Sequence, residues 1–109
     1  MDTSQLTQEV SRLHAEICSA LADPSRILLL YSLSEGPHTV NELTTSLSLS
    51  QPATSRHLKI LRDRGLVSTA RQGQSIEYSL TDRRIIDALD TLRAILRDGL
   101  AHRAQLVSE

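Results

Sequence analysis

"SLSQPATSRHLKILRDRGLV" occupies residues 48–67, and its reading decides the fold. On a helical wheel Thr54, Leu58 and Leu61 fall on one side while Pro52, Arg56 and Lys59 fall opposite, which predicts a helix with a buried face and a cationic one. Ser50 has the chemistry of an N-cap, and Pro52 suits a first turn, where a missing N–H costs little. Just upstream, Thr39 and Glu42 have the spacing of a capping box, and Leu43 with Leu47 supplies one apolar face, so a shorter helix runs from about Val40 to Leu47. Two short helices joined by a turn of three or four residues make a helix-turn-helix over residues 40–64.

Beyond Gly65 the apolar period drops from three and four to two. Val67 and Thr69 alternate with Ser68 and Ala70; Ile76, Tyr78 and Leu80 alternate with Glu77 and Ser79. This is a hairpin over residues 66–80, turning at "RQGQ" (residues 71–74), where Gly73 accepts positive φ. On the other side, Leu6, Val10, Leu13, Ile17 and Leu21 make one stripe of a first helix, residues 3–21. Asp23 caps a second helix that starts at Pro24 and is stopped by Gly36 and Pro37. A last helix, residues 82–106, is capped by Thr81 and carries Ile85, Leu89, Leu92 and Leu96 at near-heptad spacing, with Gly99 ending or loosening it. The expected architecture is mainly α with a small β-hairpin, in the order α-α-α-α-β-β-α, as one domain over residues 1–109.

A chain of 109 residues has room for one small core, and chains of this size often gain burial by oligomerising. Phe and Trp are absent, so Leu, Ile and Val must fill the interior. No apolar run reaches the roughly 18 residues that would span a bilayer, and the N-terminus has no secretory signal, which together suggest a cytoplasmic protein without a membrane partner. The single cysteine, Cys18, excludes an internal disulfide and any zinc motif built on a cysteine pair within one chain.

The net charge of −1 conceals a partition. Residues 1–50 set two arginines against six acids, for −4, and residues 75–109 set five arginines against six acids, for −1. Residues 51–74 set Arg56, Lys59, Arg62, Arg64 and Arg71 against Asp63 alone, for +4. A positive helix-turn-helix in an otherwise acidic chain points to a polyanion, and the side chains near its helix start suit duplex DNA: Gln and Arg have bidentate geometry for adenine and guanine edges. Backbone amides at Ser50 and Gln51 suit phosphate. There is no glycine-rich phosphate loop, nucleophile elbow or H-E-x-x-H, so nothing supports an enzyme.

The stretches "ALADPSRILLLYSL", "TVNELTTSLSLSQPATSRHLKILRDRGLV" and "RQGQSIEYSL", in that order, resemble the ArsR/SmtB family of bacterial winged-helix repressors over roughly residues 15–95. The resemblance implies a homodimer that places two recognition helices in successive major grooves of a palindromic operator, with the hairpin as a wing near the backbone and the terminal helices as the dimer interface. It puts Gln51, Pro52, Ser55 and Arg56 closest to bases. Ser50, His57, Lys59, Arg64, Arg71, Gln72 and Gln74 fall near the backbone or on the wing, and Leu6, Val10, Leu13, Ile17, Leu89, Leu92 and Leu96 at the dimer interface. Many members sense metals, but here Thr44 and Ser46 replace the two thiolates of the family's cysteine box, and hydroxyls are poor ligands for soft metals. The last helix has Asp87 and Asp90 but only a distant His102, so the family's other metal site is also absent. No cofactor is expected and the inducer is open.

Two alternatives stay in view. A winged helix can serve as a protein interaction module, which would not need the +4 segment. His14 and Cys18, four residues apart on one helix, could form half of a cross-dimer metal or thiol sensor, although a free Cys and a helix-edge His are the commoner explanation.

Overall fold

The computed structural model describes residues 2–108; Met1 and Glu109, the limits of the expected domain, lie outside the described residues. The elements are α1 (Thr3–Arg12), a π-helical continuation (Leu13–Cys18), α2 (Pro24–Ser34), β1 (His38–Thr39), α3 (Val40–Leu47), α4 (Gln51–Asp63), β2 (Val67–Gln72), β3 (Ser75–Leu80) and α5 (Arg84–Ser108). The fold is mainly helical with a small antiparallel sheet. The expected hairpin is enlarged, because β1 pairs with β3 through His38 opposite Tyr78 and Thr39 opposite Glu77, giving the order β1-β3-β2. A two-residue strand is too short to show a period of two in the sequence.

Caps explain the helix boundaries. Asp23 accepts the amides of Ser25 at 2.8 Å and Arg26 at 3.4 Å at the start of α2. Thr39 ends β1 and caps α3: its Oγ1 accepts the Glu42 amide at 3.2 Å while the Glu42 carboxylate accepts the Thr39 amide at 2.8 Å. Both helices of the helix-turn-helix finish in Schellman motifs, in which a left-handed residue lets two amides turn back on the last carbonyls. At the end of α3 Ser48 has φ 56°, and Leu49 donates to the Thr44 carbonyl. At the end of α4 Gly65 has φ 75°, and Leu66 donates to the Leu61 carbonyl. The wing turns through Gly73 and Gln74 between the paired Gln72 and Ser75, with Gly73 at φ 64°, the glycine-first placement of a type II′ hairpin.

The core is aliphatic. Leu29, Leu30 and Leu33 of α2 meet Leu43 of α3, Leu58 and Leu61 of α4, Leu66 and Val67 at the start of the wing, and Ile86 and Leu89 of α5. Leu89 therefore does not belong to a dimer seam. It is 5% exposed within one protomer, because the first turns of α5 pack on the chain's own core. Leu92 and Leu96, further along the same seam, are both 57% exposed, as the helix has by then run past the core.

Three other expectations at the ends are corrected. The first helix is not α-helical throughout residues 3–21: from Leu13 it widens to π geometry, with the Ser19 amide donating five residues back to His14, and it ends in a turn at residues 19–21. Thr81 does not cap the last helix; the Asp82 carboxylate does, accepting the Arg84 amide at 2.9 Å. Gly99 neither ends nor breaks α5, which continues to Ser108.

Asp82 also pairs with the Arg84 guanidinium at 2.7 Å, and that side chain, then the Arg84 amide, holds its carboxyl down at about 2. Hydrogen bonds from the Thr39 backbone and hydroxyl likewise lower Glu42. Carboxylates whose folded values are depressed stabilise the fold above their unfolded values and stop doing so as pH falls through the folded ones. We expect the thermal midpoint to drop as pH falls from about 4 toward about 2, and the Asp82→Asn variant to show a smaller drop. A wild-type midpoint flat across that window would contradict these carboxylate contacts.

Candidate nucleic-acid interface

Helix α4 sorts its side chains as the wheel implies. Thr54, Leu58 and Leu61 are buried, while Gln51, Pro52, Ser55, Arg56 and Lys59 are exposed on the outer side. Its start is fixed by Ser50, whose Oγ accepts the Ala53 amide at 3.2 Å and whose carbonyl accepts the Thr54 amide at 3.0 Å and the Thr54 hydroxyl at 2.9 Å. Ser50 is thus committed through its side chain to capping. Pro52 has no N–H and the Ala53 amide is taken, so the amides left for a phosphate at this helix start are those of Ser50 and Gln51.

The cations differ in how free they are. Lys59 pairs with Asp63 at 3.1 Å, one turn along, with both side chains largely in solvent. Such a pair is worth little and opens readily toward a phosphate. Arg56, Arg62 and Arg64 are exposed, as are Arg71, Gln72 and Gln74 on the wing. His57 is different: it is half-buried, and its Nδ1 lies 3.3 Å from Nη1 of Arg26 on α2. One ring nitrogen is therefore engaged inside the protein, and only Nε2 remains for a backbone contact.

The family's metal sites do not fit the donors present. Thr44 is turned inward with its Oγ1 buried and without a hydrogen-bond partner, whereas Ser46 is exposed on another side of α3. In α5, Asp90 already accepts the Tyr31 hydroxyl at 2.6 Å and pairs with Arg93 at 3.4 Å. His14 and Cys18 are both exposed on the π-helical stretch, and among the described residues no group of three or more His, Cys, Asp or Glu comes together.

The terminal helices are the second feature of the site. No residue of α1 is buried, and Leu6, Val10 and Leu13 are about half exposed, with Ile17 less so. The sequence reading missed Leu28, Ile95 and Leu100, which are also exposed and apolar. The radius of gyration is 17.0 Å, against about 13 Å for a compact chain of this length. The difference comes from helices that leave the core with their apolar sides uncovered.

The profile of the family described as "bacterial regulatory protein, arsR family" matches residues 23–69, from the α2 cap into β2. The probable mercury resistance operon repressor of Streptomyces lividans is 37% identical over 102 residues, covering 90% of this chain and 82% of its own length. This chain belongs to the arsR family. Its family is one of transcriptional regulators, not enzymes, built on the winged helix-turn-helix DNA-binding fold. The HTH-type transcriptional regulator NmtR of Mycobacterium tuberculosis is 42% identical over 76 residues, 70% of this chain, and the match spans 63% of the regulator's length. Among solved structures, NolR from Sinorhizobium fredii superposes with a TM-score of 0.74 at 36% identity, covering 87% of this arsR-family chain and 93% of NolR.

Proposed function

We propose that this arsR-family chain is a dimeric repressor that binds a palindromic operator, with α4 of each protomer in a major groove and the wing against the adjacent backbone. The observation that carries it is the division of α4 into a face buried on the core and an exposed face bearing Gln51, Pro52, Ser55, Arg56 and Lys59. Those five are the side chains assigned to bases and nearby phosphates. Arg64, Arg71, Gln72 and Gln74 assist along the backbone, together with the Ser50 amide and the remaining His57 nitrogen. The uncovered apolar side chains of α1 and its π-helical continuation, and those of α5 from Leu92 onward, form the dimer interface, and the two-fold axis so created matches the symmetry of the operator. Such a protein acts in the cytoplasm, where its operator lies; no helix of the described residues is long and apolar enough to cross a membrane. No metal-driven release of DNA through the family's cysteine-box or last-helix sites is expected of it, since Thr44 and Ser46 stand at the first and the second lacks its histidines.

Anisotropy titrations against palindromic genomic fragments test the reading. If about six phosphates are neutralised, affinity falls about 10³-fold between about 50 and 200 mM salt. Arg56→Ala is expected to cost about 1 to 3 kcal/mol and to relax base preference at one position, as for an arginine reading a guanine. Arg71→Ala is expected to weaken every sequence alike and to flatten the salt slope. Binding that ignores salt, or no binding to any fragment, would favour the protein interaction module instead.

A further inference from the structure

Each of the three guanidinium nitrogens of Arg26 makes a contact, and the contacts fall on two parts of the molecule that do not otherwise bond. Its Nε donates to the Ala20 carbonyl at 2.7 Å and its Nη2 to the Ser19 carbonyl at 3.2 Å, both in the turn that closes the first helix. Its Nη1 meets His57 Nδ1 at 3.3 Å, in the middle of α4. The backbone of Arg26 is fixed as well, since its amide donates to the Asp23 cap. Among the described residues no direct hydrogen bond joins the first helix to α4. Arginine donates in a rigid planar fork and cannot accept. In a hydrogen bond with this donor His57 Nδ1 can only accept, so the contact as drawn calls for the Nε2–H tautomer.

We infer that Arg26 is a positioning residue for DNA recognition: its fork fixes α4 to the end of the first helix and so sets the spacing at which a dimer presents its two recognition helices. This rests on the dimeric operator-binding reading, in which α1 belongs to the interface. The first helix is then the element that carries the partner's position, and α4 the element that reads DNA. Ala20 is buried against the core, with its carbonyl covered by the Arg26 side chain. A lysine ammonium has three N–H groups but on one nitrogen, and cannot reach both carbonyls and the ring as three spread nitrogens do. Small rotations of α4 matter because one base pair moves a half-site by about 3.4 Å along the duplex and by about 35° around it.

The test compares operators that differ only by one base pair inserted or removed between half-sites. Wild type loses about tenfold or more on either change. Arg26→Lys and Arg26→Met, still dimeric by sedimentation, bind the three operators within about threefold of one another. A merely destabilised protein would lose affinity for all three in proportion. Both His57 variants lose the backbone contact of Nε2 and so bind all three operators more weakly in equal proportion; beyond that, His57→Asn, whose Oδ1 takes the place of Nδ1, keeps the wild-type ratio among the three operators, and His57→Leu loses it as Arg26→Met does. Should Arg26→Met fail to fold, Arg26→Lys and His57→Leu carry the comparison. Ring ¹⁵N shifts of His57 in DNA-free protein give a second readout: the Nε2–H tautomer in wild type and a tautomer mixture in Arg26→Met. Wild-type spacing discrimination retained in Arg26→Lys and His57→Leu, or a wild-type ring without the Nε2–H bias, overturns the inference. A wild type that binds no palindrome but shows the biased ring overturns the dimeric operator reading, and the spacing role with it, while leaving the fork itself intact.

Discussion

Leu92→Glu is expected to yield a folded protomer that no longer dimerises and no longer recognises its operator. At 57% exposure Leu92 contributes little to the protomer's own core, so a carboxylate there leaves α2, α3, α4 and the sheet intact. In a dimer paired through these helices the same carboxylate would be buried in the apolar seam that Ile95 and Leu96 continue. Burying an unpaired charge costs several kcal/mol, and a symmetric dimer incurs it twice. At about 3 kcal/mol or more for each copy, the dimer dissociation constant rises by at least about four orders of magnitude. Operator recognition follows, because each protomer then reads only one half-site and the tether that makes the second contact intramolecular is gone. The measurements are sedimentation at micromolar concentration, far-ultraviolet circular dichroism and an operator titration. A Leu92→Glu protein that stays dimeric would move the interface away from α5, and a wild type that sediments as a monomer would dispose of the dimer altogether. Leu89→Glu, three residues earlier, is expected instead to unfold the protomer, since Leu89 is core.

That contrast shows where a sequence stops being legible. Leu89 and Leu92 share one periodic seam, and periodicity records only that a side chain seeks an apolar neighbour. Whether the neighbour is the chain's own core or a second copy depends on how far α5 runs before it leaves the body of the domain, a tertiary fact. What was readable had local causes. The Thr39 and Glu42 capping box, the Ser50 cap, the glycine at the wing turn and the switch from steps of three and four to steps of two each act within a few residues. So the helix-turn-helix and the wing could be placed, and the outer face of α4 chosen. Long-range contacts left no local trace. Strand β1 exists because His38 and Thr39 meet β3 across the fold, and Arg26 meets His57 from 31 positions away.

Leu58→Ala is expected to have the largest effect on stability. Leu58 is fully buried at the centre of the inner face of α4, among the leucines of α2 and α3. Truncation removes transfer energy and leaves a cavity that the surrounding helices close only in part, at about 2 to 5 kcal/mol. Against the roughly 5 to 15 kcal/mol that holds such a domain together, this is a large fraction, equivalent to about 10 to 20 °C in the thermal midpoint. Ile60→Ala, on the same helix but partly exposed, separates packing from helix propensity. Alanine is the better helix former, so the lost contacts and the propensity gain nearly offset there, and we expect a change within about 1 kcal/mol. Both variants and wild type must be melted at one protein concentration, because dimerisation makes the midpoint concentration-dependent. The cavity also loosens the seat of the element that carries Gln51, Ser55 and Arg56. Operator affinity is then expected to fall in Leu58→Ala even well below its midpoint, where nearly every molecule is folded, and to stay near wild type in Ile60→Ala. A Leu58→Ala midpoint within about 3 °C of wild type would mean that α4 is not seated on this core, and the assignment of its outer face to DNA would lose its support.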